Sequence, residues 1–232
     1  MKQSIELKIF KQSESFWGEV TLSQYLFLIS LILFLFCFMV CYVFKINFIY
    51  TTILFIPLII SYVTSVFEYE NLNGHIIGKI VLETDKIIIN NKTFNYTEIE
   101  SLKFDSYSYY GKNNSFSGIY DFPRPFKLIG KNNKFLIISK ENQNFSGEFL
   151  ISSKEDFLGI YDLLSNLYFN EILKTDIHKL YNLPELIQKN RNFKNFVEKL
   201  LTEKRIDCGY GISLLGYNND KEAKILRSKY CS

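Results

Sequence analysis

The feature that most constrains this chain is an apolar stretch over residues 25–67, in which Lys45 is the only charged side chain. It divides into two halves of 20 residues each, 25–44 and 48–67. A helix rises about 1.5 Å per residue, so each half spans roughly 30 Å, the thickness of the hydrocarbon core of a bilayer. Because only a helix satisfies its own backbone in lipid, the stretch predicts a transmembrane helical hairpin. The alternative is a pair of buried core helices in a water-soluble protein.

The charges beside the two spans predict their orientation. The connection 45–47 is short and carries one lysine, whereas the outer flanks carry five: Lys2, Lys8, Lys11, Lys79 and Lys86. The excess of lysine predicts that both termini and the soluble part are cytoplasmic. Residues 1–24 are a polar N-terminal cytosolic or interfacial segment, with Trp17 at the membrane surface. Alternation of Ile5, Leu7 and Ile9 with polar residues predicts a short edge strand or an unstructured arm.

Beyond Phe67 the hydrophobic pattern changes to period two, with turn residues between short runs. Seven strands are predicted, near residues 78–83, 86–90, 93–96, 101–109, 126–130, 134–139 and 145–151. Ser153 and Asp156 then form a variant of the capping box, and Phe157, Ile160 and Leu164 follow at helical spacing. A strongly bent sheet of seven strands leaves one end of its core open, and a terminal helix can close it.

This order of elements resembles the bacterial PH-like membrane proteins, in which two adjacent spans precede seven strands and a capping helix. The segment GKIVLETDKIIINNKTFNYTEIESLKF, residues 78–104, looks like the opening strands of those domains. The resemblance implies a membrane helical hairpin over 25–67 and a PH-like α+β domain, a β-sandwich or barrel capped by a helix, over 76–170. It also implies a bacterial inner or plasma membrane location, and it carries no catalytic motif.

The C-terminal extension, 171–232, carries 12 basic and 8 acidic side chains and is predicted to be helical. A helix over 184–205 has an apolar stripe flanked by the candidate membrane-surface residues Lys189, Arg191, Lys194 and Lys199. It either packs on the domain or on a second copy, or lies on anionic lipid headgroups. The two glycines of Gly209-Tyr-Gly-Ile-Ser are interpreted as a turn, and residues 206–232 are not assigned to the fold.

Nothing in the sequence predicts catalysis, a cofactor or a metal site. His75 and His178 are far apart, and the four cysteines, with Cys208 and Cys231 isolated in the extension, form no metal or disulfide framework. Sparse cysteine use fits a reducing compartment. The net charge of +3 is too small to indicate nucleic acid, and no small-molecule substrate is expected. The chain is therefore predicted not to be an enzyme.

The long loop over 106–126 is the candidate partner-binding surface, because it is unusually aromatic. Its candidate residues are Tyr107, Tyr109, Tyr110, Phe116, Tyr120, Phe122 and Arg124. Tyrosine and arginine commonly anchor protein interfaces. Alternatively, the tyrosines complete the fourth strand and cover the sheet, or the loop lies against the membrane.

Three functions remain open from the sequence. The first is a membrane-anchored, non-enzymatic scaffold that binds another protein or its own copy at the cytosolic face. The second is an inner-membrane immunity protein that neutralises a toxin. The third is a lipid-binding or lipid-modifying protein. Specific phosphoinositide binding is disfavoured, because the first strand turn, 83–86, carries two acids and one base.

Overall fold

The computed structural model describes residues 4–14, 16–45, 55–114, 124–141, 143–173 and 176–231, with the backbone only at Phe16 and Trp17. The chain is α+β, with a largely antiparallel sheet. The strands are β1 (Ser4–Gln12), β2 (Gly74–Glu83), β3 (Lys86–Ile89), β4 (Lys92–Asn95), β5 (Ile99–Asp105), β6 (Tyr110–Asn113), β7 (Lys127–Ile129), β8 (Asn133–Ser139) and β9 (Asn144–Leu150). The helices are α1 (Leu22–Phe44), α2 (Phe55–Phe67), α3 (Lys154–Phe169), α4 (Glu185–Gln188), α5 (Arg191–Thr202), α6 (Cys208–Leu215) and α7 (Asp220–Tyr230).

The main sheet has seven strands in the order β4-β3-β2-β1-β9-β8-β5. The number matches the prediction, but the set of strands differs. The predicted strand near 126–130 is β7, which pairs with β6 in a separate two-stranded sheet. Its place in the main sheet is taken by β1, which precedes the apolar stretch in the sequence.

β1 is therefore a central strand, and the expectation of an edge strand or an unstructured arm was wrong. It pairs antiparallel with β2 from Ser4↔Glu83 to Gln12↔Gly74, and with β9 on its other side. The alternation that predicted a strand is real: Ile5, Leu7 and Ile9 are buried and the residues between them are exposed. Since both neighbours are distant in sequence, no local pattern could place the strand centrally. Residues 1–24 and 76–170 thus contribute to one sheet.

α3 covers the sheet and closes its core, as the capping pattern predicted. Its first turn is capped by Ser153, whose Oγ accepts a hydrogen bond from the Asp156 backbone N–H at 3.0 Å. Two tyrosine hydroxyls of α3 donate to the edge of the sheet: Tyr161 to the Ser106 carbonyl at 3.0 Å and Tyr168 to the Leu102 carbonyl at 3.1 Å. These bonds tie α3 to β5 and to the residue that follows it.

The two apolar helices run antiparallel and touch. The Ser61 hydroxyl donates to the Ser23 carbonyl at 2.7 Å, and the rings of Phe34 and Phe55 lie 5.9 Å apart. Later residues of α1 therefore meet earlier residues of α2, which is the packing of a hairpin. Most apolar side chains of both helices are exposed in the isolated chain. α1 ends where the sequence predicted, with Lys45 as its left-handed C-cap.

Within the part of the chain that the structure describes, only α1 is long and apolar enough to cross a bilayer. Of the two predicted spans, the structure therefore shows one helix of sufficient length, α1. α2 has 13 residues, and residues 46–54, which include the predicted start of the second span, lie outside the described residues.

The C-terminal extension is helical, as expected, but its predicted helix over 184–205 divides into α4 and α5 where Asn190 caps α5. The apolar face of α5 is buried in a second core. This core comprises Leu180, Phe193, Phe196, Val197, Leu200, Leu201, Ile206 and Leu215. That face is therefore covered by protein, which favours the alternative in which the helix packs on the domain.

Residues 206–232, unassigned from the sequence, form α6 and α7, joined by a disulfide between Cys208 and Cys231 with a Cα–Cα distance of 5.7 Å. The prediction that these cysteines are isolated was wrong. Cys208 begins α6 and Cys231 follows α7, and a spacing of 23 residues in the sequence does not indicate that the two helices bring them together. The predicted turn at Gly209–Gly211 is the first part of α6. A Cβ on Gly211 would lie 2.6 Å from Leu201 Cγ, so glycine permits close contact with α5.

Candidate functional site: a cleft at the base of the apolar helices

The two apolar helices are joined where they leave the sheet. The Glu68 carboxylate, one residue past the end of α2, accepts hydrogen bonds from the Leu22 and Ser23 backbone N–H groups at 2.7 and 3.1 Å. A carboxylate at this position accepts from N–H groups of the first turn of α1 that have no partner within the helix. Its negative charge also interacts favourably with the positive end of the helix dipole. Thr21 and Gln24 complete the cap as a capping box. The start of α1 is thus fixed to the end of α2.

The end of α2 is also bonded to the small sheet. The Phe126 N–H donates to the Ser65 carbonyl at 2.9 Å, and the Glu70 N–H donates to the Lys127 carbonyl at 2.9 Å. Tyr69 stacks on Tyr110 with ring centroids 4.8 Å apart, and the Lys127 ammonium lies 5.2 Å from the Tyr69 ring. These contacts place the β6–β7 sheet beside the end of α2.

A buried amide, Asn133, positions the first part of the aromatic loop. Its Oδ1 accepts from the backbone N–H groups of Tyr107 at 2.7 Å and Ser108 at 3.0 Å. Its Nδ2 donates to the carbonyls of Ser108 at 3.0 Å and Gly130 at 2.6 Å. The side chain is fully buried at the start of β8. It therefore fixes the backbone of 107–108, which has no strand partner of its own.

Between these elements lies a cleft of about 750 Å³. Its lining includes the end of β1 and the start of α1 on one side and the aromatic loop with the β7–β8 turn on the other. The lining residues are Gln12, Glu19, Val20, Thr21, Gln24, Glu70, Asn71, Tyr107, Ser108, Asn114, Arg124, Pro125, Leu128, Lys131 and Asn132. This volume is within the range of small-ligand sites, about 300–1,000 Å³.

Within the described part of the chain, the charged lining comprises two acids, Glu19 and Glu70, and two bases, Arg124 and Lys131. Glu70 is half-buried, and its burial is the main cause that raises the pKa of its carboxyl. Lys131 opposes this rise most strongly, with smaller lowering contributions from the Ile129 backbone and from Arg124, while Glu19 adds to it. The cations around Glu70 therefore do not fully offset the cost of burying its ionised carboxylate.

The candidate partner-binding residues do not form one surface. Tyr107 is exposed and lines the cleft, and Arg124 is exposed at its rim. Tyr110 is exposed and stacks on Tyr69. Tyr109 instead is half-buried and packs on Phe157 of α3, with ring centroids 5.4 Å apart, at the margin of the core. Phe116, Tyr120 and Phe122 lie outside the described residues.

The candidate membrane-surface residues are also divided. Lys189 is paired with Glu185 at 2.5 Å and Lys199 with Glu171 at 2.7 Å. Arg191 and Lys194 are exposed on α5. Trp17 lies in a short 3₁₀ turn, Phe16–Glu19, and its side chain is outside the described part of the chain. Arg205 and Lys199 both hold Glu171 and lower the pKa of its carboxyl to about 2.

Glu68, Glu70, Asn133 and Lys131 were not singled out by sequence reasoning. The two glutamates directly follow a predicted span, which is a signal that could have identified them as interfacial residues. Asn133 lies between the predicted strands near 126–130 and 134–139, and no local pattern distinguishes a buried bridging amide from a turn asparagine. Among the described residues, no three His, Cys, Asp or Glu side chains are grouped to hold a metal ion.

Comparison of the chain with protein-family models, with curated proteins and with solved structures finds no match.

Proposed function

We propose that this chain is a membrane-anchored, non-enzymatic binding module. In this proposal the two apolar helices cross the bilayer as a hairpin, the α+β domain is PH-like, and it binds a protein partner at the cytosolic face. Membrane attachment raises the local concentration of the domain, so that a weak contact becomes effective there.

The observation that carries the proposal is the place of the apolar helices in the fold. They connect β1 and β2, two strands that pair along nine register positions in the middle of the sheet. Because paired strands lie on the same side of a membrane, a chain that leaves after β1 through α1 has to return before β2. α2, antiparallel to α1 and bonded to it at Ser61, belongs to this return.

The same arrangement supports a fixed position of the domain on the bilayer. Glu68 caps α1, and Asn71 Nδ2 donates to the Val20 carbonyl at 2.7 Å, so both strand-to-helix connections are tied together. A domain on a flexible linker would sample many orientations, whereas this one presents a defined face to the membrane. A function that depends on this orientation fits a binding module.

The PH-like assignment is supported by the seven-stranded antiparallel sheet followed directly by α3, which packs on the buried core. The chain departs from the resemblance in one respect. The order expected from it puts all seven strands after the spans, whereas β1 precedes them here. The helical hairpin is therefore inserted into the domain and does not simply precede it.

The cytosolic side is proposed from the lysines of the flanks. Disulfides persist mainly in oxidising compartments, and the Cys208–Cys231 pair therefore opposes this side. In a reducing cytosol the pair would be held as thiols, while the packing of Ile206 and Leu215 in the second core does not depend on the bond. Accessibility of single cysteines introduced at Glu14 and Glu100 to membrane-impermeant reagents in intact cells tests the side directly.

The partner is tested by photocrosslinking in native membranes. A crosslinking amino acid at Tyr107 or Tyr110, both exposed, should give discrete adducts, and the same group at exposed Glu100 should not. Glu100 lies at the far end of β5, away from the cleft. Equal labelling at all three positions, or none, would contradict a specific partner at this surface.

A further inference from the structure

Where α1 spans a bilayer, as proposed above, the cleft at the base of the apolar helices lies at the depth of the lipid headgroups. It is lined by Thr21 and Gln24, which begin the first apolar helix, and by Glu70 and Asn71, three and four residues past the end of α2. The polar layer of a bilayer is about 5–8 Å thick on each side, and three residues of chain reach at most about 10 Å. The cleft therefore faces the headgroup layer wherever α1 spans the membrane.

Among the described residues that line the cleft, two carboxylates stand against two cations. A singly anionic headgroup would meet the repulsion of Glu19 and Glu70, and a simple cation would meet that of Arg124 and Lys131. A ligand that carries both signs a few ångströms apart satisfies both pairs. Arginine and lysine are the usual partners of phosphate, and carboxylates accept strong hydrogen bonds from a primary ammonium.

From this juxtaposition we propose that the cleft binds a zwitterionic ammonium–phosphate headgroup, that of phosphatidylethanolamine in the surrounding bilayer. Arg124 and Lys131 contact the phosphate, and Glu70 and Glu19 contact the ammonium. A primary ammonium is preferred to the quaternary group of choline, because choline has no N–H to donate to a carboxylate. The proposal rests on the membrane-anchored function proposed above.

The state of Glu70 is consistent with this ligand. Its burial disfavours the ionised carboxyl, and the charged groups that act on it are Lys131, Arg124 and Glu19. An incoming ammonium supplies the positive charge that these neighbours do not fully provide. Glu68 is not part of this site, because both of its oxygens already accept from the first turn of α1. Glu19 accepts from Gln12 Nε2 through Oε1 only, and its Oε2 contacts the ammonium in this proposal.

The full chain reconstituted in nanodiscs of mixed phosphatidylcholine, phosphatidylethanolamine and phosphatidylglycerol tests the proposal. Lipids retained after mild detergent extraction are quantified by mass spectrometry against the bulk composition. We expect phosphatidylethanolamine to be enriched about tenfold, the effect of one or two charge-assisted hydrogen bonds. Glu70→Gln and Lys131→Met should return the retained lipid to bulk composition.

Matched controls come from the ends of β5 and β8 that lie away from the cleft. Glu100→Gln and Lys140→Met change exposed residues beside the Ile99↔Ser139 pair, far from the cleft, and should leave the enrichment unchanged. Enrichment of phosphatidylglycerol, no enrichment, or enrichment that survives Glu70→Gln would overturn the proposal. Displacement of the lipid by micromolar soluble phosphoethanolamine would overturn the membrane lipid as the source of the headgroup.

Failure of this inference can be distinguished from failure of the proposed function. Retention in the membrane pellet after alkaline carbonate extraction tests the anchor alone. A chain that stays in the pellet without lipid selectivity overturns only the headgroup site. A chain released by carbonate overturns both.

Discussion

Individual polar side chains decide how the aromatic loop and the apolar helices meet the sheet. Asn133 makes hydrogen bonds with two N–H groups and two carbonyls within 3.0 Å, and Glu68 bonds two N–H groups at the start of α1. Both accept from backbone N–H groups that lie outside the strand ladders or in the first turn of a helix. A buried or interfacial polar group of this kind is costly to remove, because its partners remain without hydrogen bonds.

Replacing Asn133 by leucine, which has a similar size, should lower the free energy of unfolding by about 3 kcal/mol or more, since several buried backbone groups lose their partner. Asn195→Leu is the matched control on the exposed face of α5 and should change stability by less than about 0.5 kcal/mol. Chemical unfolding of the purified chain in detergent measures both. Equal effects of the two substitutions would show that the Asn133 network is not important for stability.

Glu70 gives a pH-dependent prediction. Because its pKa is raised in the folded chain, the ionised carboxyl destabilises the fold at neutral pH, and this cost decreases as the pH falls from that raised pKa to the ordinary pKa of a glutamate, below which it is absent. Glu70→Gln should therefore raise the thermal midpoint at pH 7 and lose this advantage in acid. Midpoints measured from pH 4 to pH 8, with Glu100→Gln as control, check the sign. A lower midpoint for Glu70→Gln at pH 7 would contradict it.

At the scale of elements, the C-terminal helices form a second core that is joined to the first. Phe169 and Leu183 pack against both cores, and Glu171 bonds Arg205 and Lys199 across the junction of α3 and α5. α6 and α7 are further linked by the disulfide. The extension is therefore a packed part of the chain, and its basic side chains are partly engaged with carboxylates.

The disulfide closes a loop of 23 residues, so its entropic contribution to stability is about 3 kcal/mol. In oxidising buffer, Cys208→Ser should lower the free energy of unfolding of the extension by about this amount. The wild-type chain reduced with dithiothreitol should have the same free energy of unfolding as the variant, and this comparison is the internal control. If reduction has no effect on wild-type unfolding, the two cysteines are not bonded in solution.

At the scale of the whole molecule, the strand before the apolar helices belongs to the domain after them. Leu7 is fully buried in β1, whereas its neighbour Lys8 is exposed. Leu7→Asp places an unpaired charge in the core and should lower the free energy of unfolding by about 4 kcal/mol or more. Lys8→Asp changes an exposed residue and should have little effect on stability. Limited proteolysis of membranes should degrade the 74–169 region only in the first variant.

Both variants should remain in the membrane pellet, because neither changes the apolar helices. A Leu7→Asp domain that resists protease as well as wild type would contradict the central position of β1 in the sheet.

The sequence by itself determined the features that depend on local pattern. The apolar run predicted α1 and its end at Lys45, period-two alternation predicted most strands, and the Ser153 cap predicted the start of α3. Of the residues that line the cleft, it singled out Tyr107 and Arg124. Only the tertiary structure decided that β1 is central, that Tyr109 faces the core, that Cys208 meets Cys231, and that Glu70 and Lys131 share a cleft. Each of these features depends on contacts between segments that are far apart in the chain. Because no short stretch of sequence contains both partners, only the packing of the whole fold decides which segments meet.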